Sequence, residues 1–323
     1  MNTNSNLLEL KNLSKYFKSK NNIIGKGRVL KAIDNISLTI KKGETVGIVG
    51  ESGCGKSTLG RVILRLIEPT YGNIIYDKIN LLELDKAEMR EMRKRMQIIF
   101  QNPYSSLNSR MTIQDIVKAP LDVFKIGTRN ERIDEVIKSL ECVGLGHQHL
   151  HRYPHEFSGG QRQRIVIARA LILNPEFIVC DEPVSALDVS VRSQVLNLMV
   201  SLQKEFNLTY LFISHDLSVV KHLCEKVAVM YLGEIVEIGS RDRIYNTPLH
   251  PYTEALLSAI PIPDIDIMTE RIILKGDVPS PYNKPKGCPF VTRCNKALPI
   301  CSEMKPPVEE ITKDHFVACH LYV

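Results

Sequence analysis

The sequence lacks any long hydrophobic run. No stretch reaches the roughly 18 uncharged apolar residues that a membrane-spanning helix requires. The opening residues MNTNSNLLEL also lack the charged start, apolar run and cleavage site of a signal peptide. We therefore expect a cytosolic chain without a spanning helix, which leaves attachment to a membrane partner open.

The sequence also lacks a strong concentration of charge. It has 42 lysines and arginines against 36 acidic residues, a formal net charge of +6, and this small excess would suit an anionic partner. The cations are spread along the chain, with one small cluster at Arg90, Arg93, Lys94 and Arg95. A solvated face is the better explanation of such a cluster, so we expect no nucleic-acid partner.

Hydrophobic patterning predicts an α/β fold. Runs that alternate apolar and polar residues, or are solidly apolar, are typical of strands and occur in LLELKNL, AIDNISLTI, ETVGIVG, MQIIF, FIVCDEP, TYLFISHD and VAVMYLGEIVEIG. The helical segment QVLNLMVSLQKEF separates two of the later strands. This alternation predicts a mostly parallel sheet.

Two changes of pattern indicate the domain organisation. Helical spacing dominates from about residue 111 to 171 and predicts an inserted helical subdomain over about residues 104–170. Beyond about Pro248 the proline content rises and the strong periodicity ends. We therefore predict one domain over residues 1–250 and a C-terminal extension over residues 251–323.

The segment GESGCGKST matches the phosphate-binding loop pattern between a strand and a helix. Its glycines let backbone N–H groups point at phosphate oxygens, and the helix N-terminus adds favourable partial charge. We expect Lys56 to contact the β- and γ-phosphates and Ser57 to ligate Mg²⁺. Lys56 and the helix terminus could lower the pKa of Cys54, although a bystander role for this cysteine is the favoured interpretation. The predicted ATP-binding residues of this loop are Gly50, Ser52, Gly53, Cys54, Gly55, Lys56, Ser57 and Thr58.

The run FIVCDE predicts a buried strand with two carboxylates at its C-terminal end, where ligands of α/β sheets gather. Asp181 suits Mg²⁺, directly or through water. Glu182 would point in a different direction and polarise the attacking water as a general base. Together with the upstream loop, the pair indicates nucleotide hydrolysis.

The segment FSGGQRQR, followed by the helical IVIARALIL, resembles the signature of ABC ATPases, with Phe157 where that family usually has leucine. A serine and glycines at a helix N-terminus can hold phosphate. The resemblance implies a P-loop core with an antiparallel β subdomain, and a signature that faces the γ-phosphate held by a second subunit. The signature residues that it implies are Ser158, Gly159, Gly160 and Gln161.

Other ABC elements occur in the family's order. Gln101 matches the Q-loop glutamine, Asp188 ends the D-loop SALD, and His215 matches the switch histidine. The resemblance implies catalytic roles for Glu182, His215 and Gln101, and Mg²⁺ contacts for Ser57, Gln101 and Asp181. Phe17 aligns with the aromatic residue that stacks on adenine, although neighbouring Tyr16 or simple core packing stays open.

The last quarter of the chain resembles the oligopeptide and dipeptide permease ATPases, and SGGQRQRIVIARAL resembles their F-type subunit. The resemblance covers essentially the whole chain. It implies ATP-powered peptide import, with this chain at the cytoplasmic face of the membrane. The implied partners are a D-type ATPase subunit in a heterodimer, two transmembrane permease subunits and an extracellular peptide-binding protein.

Four of the eight cysteines lie near the C-terminus in a proline-rich segment, which suggests a metal centre before disulfides. Cys288, Cys294, Cys301 and Cys319 are separated by five, six and seventeen residues. The family resemblance implies a [4Fe-4S] cluster. A structural role is favoured over electron transfer, because no predicted catalytic residue lies nearby in the sequence. A zinc site with four cysteines and free thiols both remain open.

Two other functions stay open at this point. A soluble ABC ATPase acting on nucleic acid or ribosomes would use the same motifs. Translation-type members carry two cassettes, and repair ATPases carry long coiled-coil or zinc insertions; neither feature is seen in this sequence. Within transport, nickel or another small solute is the alternative cargo. The cysteine-bearing extension favours peptides.

Overall fold

The fold is that of a computed structural model, which describes residues 5–18, 29–260, 271–274 and 276–323. Its strands are β1 (Asn6–Lys18), β2 (Val29–Lys41), β3 (Thr45–Val49), β4 (Tyr71–Tyr76), β5 (Ile79–Asn80), β6 (Met96–Ile99), β7 (Phe177–Asp181), β8 (Thr209–Ile213), β9 (Lys226–Tyr231), β10 (Glu234–Ser240), β11 (Glu309–Thr312) and β12 (His315–Val317). Its α-helices are α1 (Lys56–Ile63), α2 (Lys86–Arg95), α3 (Pro103–Ser106), α4 (Ile113–Phe124), α5 (Arg129–Cys142), α6 (Gly159–Leu171), α7 (Val189–Phe206), α8 (Leu217–Leu223), α9 (Arg241–Asn246), α10 (Pro251–Ser258) and α11 (Ile300–Glu303).

The described chain divides into two compact units. The first, called here the helical unit, consists mainly of Lys41–Glu44 and Glu83–Phe212. The second, called the β-rich unit, consists of Asn6–Ile40, Thr45–Leu82 and Ile213–Val323. The boundary near residue 250 and the helical subdomain over 104–170 stay predictions.

Strands β6, β7 and β8 neighbour one another in the helical unit, in the order β8-β7-β6. The pair β6 and β7 is parallel, with Met96 opposite Phe177 and Ile99 opposite Cys180. All five residues of β7 are buried, which is typical of a strand covered on both faces. The predicted parallel pairing is confirmed here.

Three helices of the helical unit, α4, α5 and α6, pack against one another. The buried face of α4 is formed by Ile113, Ile116, Val117 and Leu121, the spacing that places apolar residues on one side of a helix. Its first turn is capped by Thr112, whose hydroxyl accepts a hydrogen bond from the Asp115 N–H at 3.2 Å. The helical spacing in the sequence therefore predicted real helices.

The β-rich unit contains two groups of strands. One is the sheet β2-β1-β4-β5, in which β1 pairs with β4 and β4 with β5 in antiparallel fashion. In the other, the order is β11-β12-β10-β9-β3, and β3 and β9 are parallel. The predicted antiparallel β subdomain and the parallel strand before the glycine-rich loop are both present.

The segment VAVMYLGEIVEIG, predicted as one strand, is instead a hairpin of β9 and β10. Leu232 and Gly233 form the turn, with φ values of 44° and 83°. Positive φ at both positions is the geometry of a tight two-residue turn, whose twist matches the flanking strands. The turn was not recognised from the sequence, because both strands are largely buried and the apolar pattern therefore continues from one strand into the other.

A buried carboxylate joins the end of the chain to this hairpin. Glu237 of β10 is 1% exposed and accepts hydrogen bonds from the N–H groups of Leu249 and His250 at 2.8 and 2.9 Å. Its Oε1 also lies 2.8 Å from Nε2 of His315 in β12. Because these partners satisfy the oxygens of one buried side chain, they fix the terminal strands on the sheet.

A candidate nucleotide site

Two positions of the predicted phosphate loop require glycine, because a backbone carbonyl oxygen from another segment lies close to each of them. Gly50 has φ 150°, and a Cβ there would lie 2.1 Å from the Met230 carbonyl oxygen. Gly55 has φ 109°, and its Cβ would lie 2.2 Å from the Ala32 carbonyl oxygen. Neither contact could be relieved by turning a side chain, since the obstructing atoms belong to the backbone. The loop shape therefore depends on glycine at both positions.

Lys56, at the start of α1, is 5% exposed, and its ammonium group lies inside the loop. Its Nζ donates hydrogen bonds to the carbonyl oxygens of Gly50 at 2.7 Å and Glu51 at 2.9 Å. The N-cap residue Gly55 offers no side-chain cap, and the first turn carries no acidic residue. These features leave the helix N-terminus suited to an anion.

The remaining loop residues differ in exposure. Ser52 and Gly53 are exposed, Ser57 and Thr58 are half-buried, and Cys54 is buried. Burial raises the pKa of Cys54, and Lys56, whose Nζ lies 3.9 Å from the sulfur, offsets this only in part. The suggested lowering of this pKa is wrong, because loss of solvent outweighs the nearby cation.

The two candidates for adenine stacking have different surroundings in β1. Tyr16 donates a hydrogen bond from its hydroxyl to Oδ1 of Asp34 at 2.5 Å, and its ring meets that of Tyr71 edge-on at 5.8 Å. Burial, together with this bond, raises the pKa of Tyr16 to about 12. Phe17 is 36% exposed, and Nζ of Lys15 lies 5.0 Å from its ring centre. Phe17 is the more exposed of the two rings, and the stacking role of either ring toward adenine stays a prediction.

The carboxyl end of β7 carries the predicted acidic pair. Asp181 is 3% exposed, and Glu182 follows it with φ 49°, a left-handed conformation that is uncommon outside glycine. Oε2 of Glu182 accepts a hydrogen bond from Nε2 of Gln101 at 2.8 Å. The structure thus brings together two of the residues predicted as catalytic, although 81 positions separate them.

The predicted signature lies at the start of α6. Ser158 is its exposed N-cap: its Oγ accepts from the Gln161 N–H at 3.3 Å, and the Gln161 side chain accepts from the Ser158 N–H at 3.1 Å. This reciprocal capping box fixes the helix N-terminus. A Cβ on Gly160 would lie 2.3 Å from Cγ1 of Val191, whereas one on Gly159 would have ordinary contacts. The prediction that this motif begins a helix is confirmed.

The last two predicted elements also occupy strand-to-helix connections. In the D-loop, Oγ of Ser185 donates to the Glu182 carbonyl oxygen at 3.1 Å, and exposed Asp188 is the N-cap residue of α7. Exposed His215 follows Ser214, whose N–H donates to the Ile48 carbonyl oxygen of β3 at 3.1 Å. The roles of Asp188 and His215 toward ATP stay predictions.

Three of the four tail cysteines, Cys288, Cys301 and Cys319, are buried, and Cys294 is half-buried. The N–H of Cys288 donates to the Cys301 carbonyl oxygen at 2.8 Å. Burial raises the pKa of Cys288 to about 12, with a further contribution from the other three cysteines. Within the described part of the chain, no three His, Cys, Asp or Glu side chains are grouped so as to hold one metal ion.

Sequence reasoning missed one set of contacts at the loop. Glu51 binds Arg293 through two hydrogen bonds of 2.7 and 3.0 Å and donates its N–H to the Tyr252 hydroxyl at 2.9 Å. The partners lie 242 and 201 positions away in sequence. No local pattern marks such a long-range contact.

Comparison with known proteins places these motifs in one family. Residues 33–185 match the model of the ABC transporter family, and residues 236–301 match the model described as "Oligopeptide/dipeptide transporter, C-terminal region". The chain is 53% identical over 320 residues to the oligopeptide transport ATP-binding protein AppF of Bacillus subtilis, covering 98% of this chain and 97% of that one. This chain is an ABC transporter ATP-binding subunit of the oligopeptide/dipeptide family.

Two further relatives agree with this assignment of the subunit. The dipeptide transport ATP-binding protein DppF of Haemophilus influenzae is 50% identical over 316 residues, with 98% of this chain and 97% of that protein covered. The dimeric post-hydrolysis structure of the ATP-binding cassette MJ0796 with ADP and Pi is 32% identical and has a TM-score of 0.64. It covers 72% of this ABC subunit and 98% of its own chain. The P-loop ABC ATPase fold predicted from the motifs is confirmed.

Among the residues that the structure describes, no helix is both long and apolar enough to span a membrane.

Proposed function

We propose that this chain hydrolyses ATP to power peptide import by a membrane ABC transporter, from the cytoplasmic face of the membrane. The observation that carries the proposal is similarity along 98% of the chain to proteins named for oligopeptide and dipeptide transport. This similarity includes the C-terminal region, which a shared ATPase cassette alone would not require. Residues 1–250 are the proposed cassette and residues 251–323 the proposed transporter-specific extension.

The proposed machine is a clamp made by two ATPase subunits. ATP held by Lys56 and the glycine-rich loop of one subunit would face the signature of the other, where Ser158 heads a helix N-terminus. Closure would move two membrane permeases, and hydrolysis would reset them. We propose a D-type ATPase as the partner and an extracellular peptide-binding protein as the source of cargo.

The catalytic roles that we propose are supported by the chemistry of the side chains. Glu182, oriented by the Gln101 amide, would polarise the attacking water. His215 and Lys56 would stabilise charge on the γ-phosphate, where positioning and electrostatics supply most of the rate enhancement. Ser57, Gln101 and Asp181 offer the oxygen ligands that Mg²⁺ prefers. When bound, Mg²⁺ would neutralise phosphate charge.

We also propose that the four tail cysteines hold a [4Fe-4S] cluster. The donor set fits such a cluster, because four thiols are present and three of them are buried. The described residues contain no group of three His, Cys, Asp or Glu side chains that could hold a metal ion, so the proposal rests on the donor set and zinc remains the alternative. Bound iron would supply the positive charge needed to deprotonate buried thiols such as Cys288, whose pKa is about 12. Its proposed role is structural.

Chemical analysis of anaerobically purified protein tests the cluster. We expect about four irons and four acid-labile sulfides per chain, and we expect Cys288→Ser to lose most of both. Cys142→Ser, which alters an exposed cysteine in α5, is the matched control and should retain them. Stoichiometric zinc, or no metal in the unaltered protein, would exclude the cluster.

Purification from gently solubilised membranes tests the transport function. We expect the chain to bring with it two permeases and a second ATPase, and the reconstituted complex should hydrolyse ATP faster when peptide and its binding protein are added. Nickel in place of peptide is the control. Faster hydrolysis with nickel alone would reassign the cargo, and recovery of ribosomes or DNA in place of permeases would remove the transport function.

A further inference from the structure

The second residue of the phosphate loop is held by the C-terminal extension. The Glu51 carboxylate receives both terminal nitrogens of Arg293, at 2.7 and 3.0 Å, in the paired geometry that is strongest for arginine and carboxylate. The Arg293 side chain is 8% exposed and that of Glu51 is 27% exposed. This ion pair is thus largely shielded from the solvent that makes surface ion pairs weak.

A second contact from the extension fixes the backbone of the same residue. The Glu51 N–H donates to the Tyr252 hydroxyl at 2.9 Å, and Tyr252 in α10 is fully buried. On its other side, the Glu51 carbonyl oxygen accepts from Nζ of Lys56 at 2.9 Å. Glu51 is therefore held at its N–H, its carboxylate and its carbonyl, and the third of these contacts is with the lysine that would bind phosphate.

Aromatic packing holds Arg293 and Tyr252 in position. Phe290 is 1% exposed, and its ring centre lies 5.3 Å from those of both Tyr231 and Tyr252. The chain turns after Phe290, whose carbonyl oxygen accepts a hydrogen bond from the Arg293 N–H at 3.0 Å. The segment between Cys288 and Cys294 is thus anchored by one buried ring and extends one guanidinium group to the loop.

We propose that Arg293 and Tyr252 are positioning residues of the nucleotide site, which hold the phosphate loop and Lys56 in their ATP-binding geometry through Glu51. The proposal rests on the ATPase function proposed above. In this proposal, the C-terminal extension contributes directly to ATP binding as well as having a transporter-specific role. The loop would bind phosphate in both the ground state and the transition state, so the main effect of losing Arg293 falls on KM.

Steady-state ATP hydrolysis by the assembled transporter tests the role of Arg293. We expect Arg293→Gln to raise KM for ATP about tenfold, the loss expected for a charge-assisted hydrogen bond, with little change in kcat. Arg293→Lys should give a smaller increase, because lysine keeps the charge but loses the two-pronged geometry. Tyr252→Phe, which removes one hydroxyl group, should also raise KM.

Two comparisons separate positioning from a general structural role. Lys296→Gln breaks another ion pair of the extension, with Glu254 at 2.7 and 2.9 Å, and should leave KM unchanged. Arg293→Gln combined with Glu51→Gln should raise KM no more than the larger single effect, since both changes break one interaction.

These measurements distinguish failure of the positioning role from failure of the proposed ATPase function. Unchanged KM in Arg293→Lys and Tyr252→Phe, or additive effects of the Arg293 and Glu51 changes, would overturn the positioning role while leaving the ATPase function intact. If Arg293→Gln does not fold, Arg293→Lys and Tyr252→Phe decide the matter. An unaltered transporter that fails to hydrolyse ATP would instead remove the proposed function itself.

Discussion

Glu182→Gln is expected to slow ATP turnover at least a hundredfold while ATP binding persists. Loss of a general base costs about a hundredfold to ten-thousandfold in rate. The amide oxygen of the new side chain can still accept the 2.8 Å hydrogen bond from Gln101, so the local geometry is kept while the basic carboxylate is lost. Single-turnover hydrolysis and equilibrium binding of ATP with Mg²⁺ measure the two properties separately.

The control for this variant is Glu205→Gln, which removes an exposed carboxylate at the end of α7 in the same helical unit. It should turn over ATP like the unaltered protein. Normal turnover by Glu182→Gln would remove Glu182 as the base. Loss of ATP binding would show instead that the carboxylate contributes to binding more than to the chemical step.

Local motifs predicted much of this site, because their physics is local. A serine followed three residues later by glutamine is a capping signal, and Ser158 and Gln161 indeed form a reciprocal cap at the start of α6. The glycines of the phosphate loop are also recognisable from the local pattern, because positive φ values such as the 109° at Gly55 favour glycine, although the backbone atoms that approach them are distant in sequence. Such features can be found in a short stretch of sequence.

Features that depend on burial or on distant partners could not be predicted in this way. Lys56 lies next to Cys54 in the loop, which suggested a lowered pKa, but burial reverses the direction. The contact of Arg293 with Glu51 joins residues 242 positions apart. The left-handed backbone of Glu182, with φ 49°, likewise has no sequence marker.

Ser158→Asp is expected to weaken ATP-dependent dimerisation with the partner ATPase strongly without unfolding α6. Aspartate caps a helix as well as serine does, and a negative charge at an N-terminus is favourable, so the isolated chain should keep its stability. The signature is proposed to face the γ-phosphate of the partner's ATP, where the added charge would be strongly repelled. We expect dimer affinity to fall by about a hundredfold or more, since like charges across an interface cost several kcal/mol.

Ser158→Asn is the matched control, because asparagine also caps well but carries no charge. Both changes are best made in the Glu182→Gln chain, in which bound ATP would persist. Each variant is mixed with the proposed partner ATPase and followed by size-exclusion chromatography with light scattering. The asparagine variant should dimerise with ATP, whereas the aspartate variant should stay monomeric and still bind ATP in its own loop. Equal dimerisation of the two would mean that Ser158 does not face phosphate, and the clamp would then require a different surface.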